Sequence, residues 1–106
     1  MARFALIYSG DQSIASREEQ DAMLAEWESW YANMGDAIAE VGDPFGASMH
    51  ITAAGSPPAV GDGGMPASGY TVIDAESIEA AAAVCADHPH LTRGGSIHIF
   101  AAIDLH

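Results

Sequence analysis

The chain predicts an α+β fold built in the order β-α-β-β-α-β. Three observations carry this. Residues 3–9 alternate their apolar side chains with period two. Residues 16–41 repeat theirs at steps of three and four. Two further alternating segments, 69–74 and 95–103, flank a second, alanine-rich helical run.

The first strand sends Phe4, Leu6 and Tyr8 to one face and Ala5 and Ile7 to the other. A loop at 10–13 follows. Ser16 with Glu19 three residues on is a capping-box signal for a helix start. The helix is expected to run to about Val41 and to stop at Gly42, with Met23, Trp27, Trp30, Met34, Ala37 and Val41 as its apolar stripe. Asp43-Pro44-Phe45-Gly46 reads as a turn and 47–54 as the second strand. Residues 55–68, rich in glycine and proline, read as a loop. The third strand is 69–74. A short helix spans 77–88 and ends at Pro89. The last strand, 95–103, alternates Ile97, Ile99, Ala101 and Ile103 against His98 and Phe100.

The order is that of the ferredoxin-like arrangement, a four-stranded antiparallel sheet with two helices on one face. Two helices cover only one face, yet the first strand is apolar on both. The second face is therefore expected to be buried against another copy of the chain. This predicts a homodimer in which two sheets pack together as a dimeric α+β barrel. The 106 residues, 49% of them hydrophobic, suit one domain over 1–106 with its own core.

Arg3, Arg17 and Arg93 are the only basic residues apart from histidines, and the formal net charge is -12. That balance argues against nucleic acid and anionic membranes as partners, since phosphate binding needs clustered positive charge. No apolar run approaches the roughly 20 residues needed to cross a bilayer. The N-terminus enters a strand pattern directly, without a signal-peptide pattern, and a cytoplasmic protein is expected. Cys85 has no cysteine to pair with and lies in the alanine-rich helix, where a buried inert thiol is expected.

Several segments together resemble the YCII-related family of small dimeric α+β-barrel proteins. They are Trp27-Glu28-Ser29-Trp30, Gly42-Asp43-Pro44-Phe45-Gly46, Gly69-Tyr70-Thr71-Val72-Ile73, Pro89-His90-Leu91 and Gly94-Gly95-Ser96-Ile97. The resemblance covers nearly the whole chain, most weakly over 55–67. It implies the same fold and dimer. It also implies either acid–base chemistry on small organic molecules, as in relatives similar to muconolactone isomerases and dehalogenases, or a module linked to transcription initiation factors. Enzymatic members tend to pair a first-helix histidine with an aspartate. The first helix here has no histidine, whereas His90 keeps its place in the matching turn.

His90 is thus the candidate catalytic residue, a proton carrier in a pocket between sheet and helices. It follows the predicted helix end at Pro89, where the dipole favours the imidazolium. Asp87 or Asp36 would orient it. The structural alternative is a histidine that closes the turn before Gly94-Gly95. Tyr8, Tyr70 and Arg93 are the candidate ligand-binding residues, with Arg93 suited to a carboxylate. Trp27, Trp30 and Tyr31 are expected in the core, with an aromatic pocket as the alternative. His88 is expected to be solvated or to cap the helix end, and His98 to face the helices or the dimer interface. No cofactor is expected, and the spacing of His50, His88, His90 and His98 does not suggest zinc. Two functions follow: a small-molecule enzyme catalysing isomerisation or elimination, or a non-enzymatic ligand-binding or regulatory module.

Overall fold

A computed structural model of the chain describes residues 2–10, 16–47, 49, 51, 53 and 67–103. The described residues form β1 (Ala2–Ser9), α1 (Arg17–Met34), β2 (Ile38–Glu40), β3 (Ala67–Ala75), α2 (Ile78–Val84), α3 (Pro89–Thr92) and β4 (Ser96–Ala101). The sheet runs β2-β3-β1-β4 with every neighbouring pair antiparallel, which fits the ferredoxin-like arrangement.

The strand alternation acts as the sequence predicts. Phe4, Leu6 and Tyr8 are buried, and the cross-strand register brings them beside Ile73, Ile97 and Ile99. Trp30, Ala81 and Cys85 close this core from the helix side, and the Trp30 indole donates to the Val84 carbonyl at 3.2 Å. Burial pushes the Cys85 thiol up to about 11, with Asp87 adding to it, so the thiol is protonated and unreactive.

Two boundaries differ from the sequence reading. Ser16 does cap α1, its hydroxyl accepting from the Glu19 N–H at 3.1 Å. The helix, however, stops at Met34, well short of Val41. Gly35 adopts φ +54, in the left-handed region that favours glycine, and ends the helix. One turn of 3-10 helix, Gly35–Ala37, leads into β2, so the second strand lies inside the predicted helix. Ile38 pairs with Ile73 and packs against the core, which is why the apolar spacing runs on past the true helix end. Of the predicted strand at 47–54, alternate residues 48, 50, 52 and 54 lie outside the described residues. Ala47, Met49, Ile51 and Ala53 are not in a strand. Residues 11–13 of the first predicted loop and 55–66 of the second also lie outside the described residues.

The second helix is likewise shorter than its pattern. Ser77 caps it, accepting from the Ala80 N–H at 3.0 Å, and it ends at Val84. Pro89 then opens α3 instead of closing α2, because a proline at the first helical position forfeits no hydrogen bond.

The opposite sheet face carries Ala5, Ile7, Tyr70 and Val72, all half-buried, with His98 and Phe100 exposed. An Arg3–Asp74 ion pair at 3.3 Å lies at one end of it. Among the described residues no helix is long and apolar enough to cross a membrane.

Candidate functional site

The segment from Cys85 to Ser96 folds back beneath the sheet and buries two histidines. His88 is 0% exposed and His90 1%. His88 caps α3, its Nδ1 accepting from the His90 backbone N–H at 3.0 Å. That bond fixes the tautomer. A neutral ring that accepts at Nδ1 carries its proton at Nε2, so Nε2–H donates to the Tyr8 hydroxyl at 3.1 Å.

The rest of the network follows in one direction. Tyr8 donates to Thr71 Oγ1 at 2.7 Å, and Thr71 donates to the Val41 carbonyl at 2.8 Å. With its own proton committed, Thr71 accepts from the Tyr31 hydroxyl at 3.1 Å. Every polar group in this buried chain has a partner, as a low-dielectric interior demands. Burial, and the proximity of His90, pull the His88 pKa down to about 4, while Asp87 opposes the shift. Burial pushes the Tyr8 phenol far above its usual value despite the opposing Thr71 bond.

His90 is held differently. A carbonyl only accepts, so its Nε2–H donates to the Ser9 carbonyl at 2.7 Å. Ser9 lies where the β1–β3 register shifts. Gly95 covers the ring so closely that a Cβ there would overlap it. Nδ1 of His90 is then the ring's lone-pair nitrogen when the ring is neutral, and it has no partner among the described residues. Neither Asp87 nor Asp36 bonds to it. The expected dipole at a helix end does not act on it either. The second helix ends at Val84, and His90 lies in the first turn of α3.

His90 borders a cleft of about 410 Å³ between α1, the β2–β3 edge and the sheet. Tyr8, Trp27 and Tyr31 line it with Met23, Leu24 and Val41; Glu28 and Asp43 are its acidic members. Trp27 stands edge-on to Tyr8 at 5.0 Å and to His88 at 4.6 Å. Its indole nitrogen is buried without a hydrogen-bond partner among the described residues. Trp30 belongs to the core, whereas Trp27 and Tyr31 both pack on the core and wall the cleft.

The cleft therefore gathers Tyr8, Tyr70 and His90 but not Arg93. The Tyr8 hydroxyl is already committed within the network, so its ring is what it offers to the cleft. Tyr70 pairs with Ile7 on the opposite parity to Tyr8. Its hydroxyl donates to Glu40 at 2.7 Å, and that acidic acceptor raises its pKa, with a smaller contribution from desolvation. Its ring stacks on Phe45. Arg93 clamps Glu26 in a two-pronged ion pair, Nε to Oε1 at 3.1 Å and a terminal nitrogen to Oε2 at 3.0 Å. Glu26 and Asp87 border a different, more open hollow between α1 and α3.

His98 lies on the far sheet face, its ring centroid 4.0 Å from that of Phe100. Three histidines thus do not converge, and the described residues contain no cluster suited to a metal ion. His50 and His106 lie outside the described residues. The sequence reading missed His88, Thr71 and Tyr31 as one unit. A usable signal existed for two of them: His88 precedes a proline that can open a helix, and Thr71 is the polar residue at a buried strand parity. No protein-family model matches the chain, and no curated protein matches it.

Proposed function

We propose that the protein binds a small organic molecule in the α1–sheet cleft, with His90 Nδ1 as the acceptor of a hydrogen bond or proton from it. One observation carries this reading: a nearly buried imidazole, fixed through Nε2 by the Ser9 carbonyl, leaves its second nitrogen without a partner among the described residues, beside an apolar cleft walled by Tyr8, Trp27 and Tyr31. Such sites are apolar concavities with few polar groups that orient the ligand. The unpartnered Trp27 indole N–H is a second group that a ligand would satisfy.

If the protein is a catalyst, His90 takes a proton from the ligand and returns it elsewhere on the same molecule, in an isomerisation or an elimination. Binding without chemistry is the reading favoured over this one. No arginine lines the cleft to stabilise a developing anion, and no carboxylate steadies His90 among the described residues. Membership of the YCII-related family is part of the same proposal, supported by the ordered motifs and by a strand order that fits the ferredoxin-like arrangement. So is the homodimer through the far sheet face.

A fragment screen followed by ¹H–¹⁵N spectra tests the site. Binders should shift the His90 imidazole and Trp27 indole signals together. A screen whose binders all leave both signals in place would sink the reading. Turnover of any binder that survives His90→Ala unchanged would end the proton-acceptor role. If the alanine variant does not fold, the ¹⁵N shift of Nδ1 on ligand addition to the unaltered protein decides the same question.

A further inference from the structure

The chemistry of the cleft is lopsided. Among the described residues its two charged members, Glu28 and Asp43, are both acidic, and both are exposed. All three arginines are elsewhere. Arg93 is occupied by Glu26, Arg3 by Asp74 on the far sheet face, and Arg17 opens α1 outside the lining. Three electron-rich rings, Tyr8, Trp27 and Tyr31, share the cleft wall. Of the two cleft nitrogens without a partner among the described residues, His90 Nδ1 is an acceptor in the neutral ring and the Trp27 indole N–H is a donor.

The Trp27 donor asks for an acceptor elsewhere on the ligand; the other features select one kind of partner. Aromatic faces attract ammonium groups, carboxylates at the mouth add Coulombic attraction, and an acceptor nitrogen welcomes an N–H donor. An anionic ligand meets repulsion and finds no arginine among the described lining residues to pair with. The net charge of -12 sets a field of the same sign around the whole chain. On these grounds the carboxylate ligand suggested by Arg93 in the sequence does not suit this cleft.

We propose that the ligand of this cleft is an amine: an apolar, preferably aromatic body bearing a protonated nitrogen, held by the Tyr8–Trp27–Tyr31 wall, Glu28 and Asp43, with an N–H directed to His90. This rests on the cleft being the ligand site and specifies what enters it.

Three probes of similar shape test it on the whole protein at physiological salt: 2-phenylethylammonium, the uncharged 2-phenylethanol and the anion 3-phenylpropionate. Binding is followed through the Trp27 indole and His90 imidazole signals. The ammonium should bind about tenfold more tightly than the carboxylate, with the alcohol between them. The double variant Glu28→Gln/Asp43→Asn should shrink that ratio to about twofold or less. Glu76→Gln/Glu79→Gln, which removes the same charge from a surface away from the cleft, should leave the ratio in place.

Equal or tighter binding of the carboxylate would overturn the inference while leaving the cleft a ligand site. An ammonium preference that the Glu76/Glu79 pair reduces as much as the Glu28/Asp43 pair would overturn it too, because the preference would then be a property of the acidic chain as a whole. Failure of all three probes to move either signal, together with failure of the wider fragment screen, would remove the site itself.

Discussion

His88 is held neutral in the folded chain because its imidazole is buried, which with the neighbouring His90 outweighs Asp87 and draws its pKa to about 4. The unfolded chain binds a proton there at the ordinary 6.5. Between those two values the unfolded state holds more protons, so stability must rise with pH. The contribution is complete above pH 6.5, falls as pH drops towards about 4, and is level below that. The gap corresponds to about 3 kcal/mol. Carboxylates titrate in part of the same range, so the measurement is a difference. Urea unfolding at pH 7 and pH 4 should show the unaltered protein losing about 3 kcal/mol more than His88→Asn, which can still cap α3 but does not titrate. Equal losses would mean that His88 is not a buried neutral ring. Gly95→Ala probes the next histidine. Its Cβ would collide with the His90 ring, and overpacking of this kind costs about 1–3 kcal/mol. A variant as stable as the parent in urea would refute the contact. The sequence makes His90 legible through its turn, but not its holding partner. Ser9 supplies a backbone carbonyl from 81 positions away, and backbone atoms leave no mark on residue identity. Tyr8 and Tyr70 looked equivalent as hydroxyls. Strand parity separates them, and that parity depends on the pairing of Tyr8 with Gly69.

The junction of α1 and β2 decides where the cleft opens. Gly35 turns the chain at φ +54, and β2 then pairs with β3 close enough that Thr71 reaches the Val41 carbonyl. A Cβ at Gly35 would meet no neighbouring atom, so the cost of replacing it is purely conformational. Its ψ of -124 lies outside the left-handed helical well that asparagine tolerates, so Gly35→Ala and Gly35→Asn should each lose about 1–3 kcal/mol. Thermal unfolding of the two variants checks this; either one as stable as the parent would contradict the observed turn. The sequence showed α1, β1, β3 and β4 clearly because each has one dominant period. It concealed β2 because three residues are too few to display alternation, and because Ile38 meets the same core as the helix stripe. It concealed α3 for a related reason. One turn has no periodicity, and its proline reads equally well as a stop or a start.

For the molecule as a whole, the open question is the sheet face turned away from the helices. Ala5, Val72 and Phe100 form one row across β3, β1 and β4, and Ile7, Tyr70 and His98 form the next. Phe100 remains 48% exposed, and Phe45 stacks on Tyr70 at one end of the second row. A second copy suits this face better than its overall charge suggests. The acidic residues crowd onto α1 at Glu18, Glu19, Asp21, Glu26 and Glu28. On the sheet face Asp74 is neutralised by Arg3, and Glu40 accepts from Tyr70. Two such faces can meet about a twofold axis with apolar rows at the centre and satisfied charges at the margin. Sedimentation at micromolar concentration should then give about twice the chain mass of 11.0 kDa, with a melting temperature that rises with protein concentration. Phe100→Glu would place a charge from each copy within those apolar rows, and should yield a folded single chain whose melting no longer depends on concentration. The cleft lies on the helix side, so this variant also separates assembly from binding. A ligand that shifts Trp27 and His90 equally in the variant and the parent belongs to each chain alone. A parent protein that sediments as one chain, with concentration-independent melting, would leave the exposed rows without a second copy to cover them.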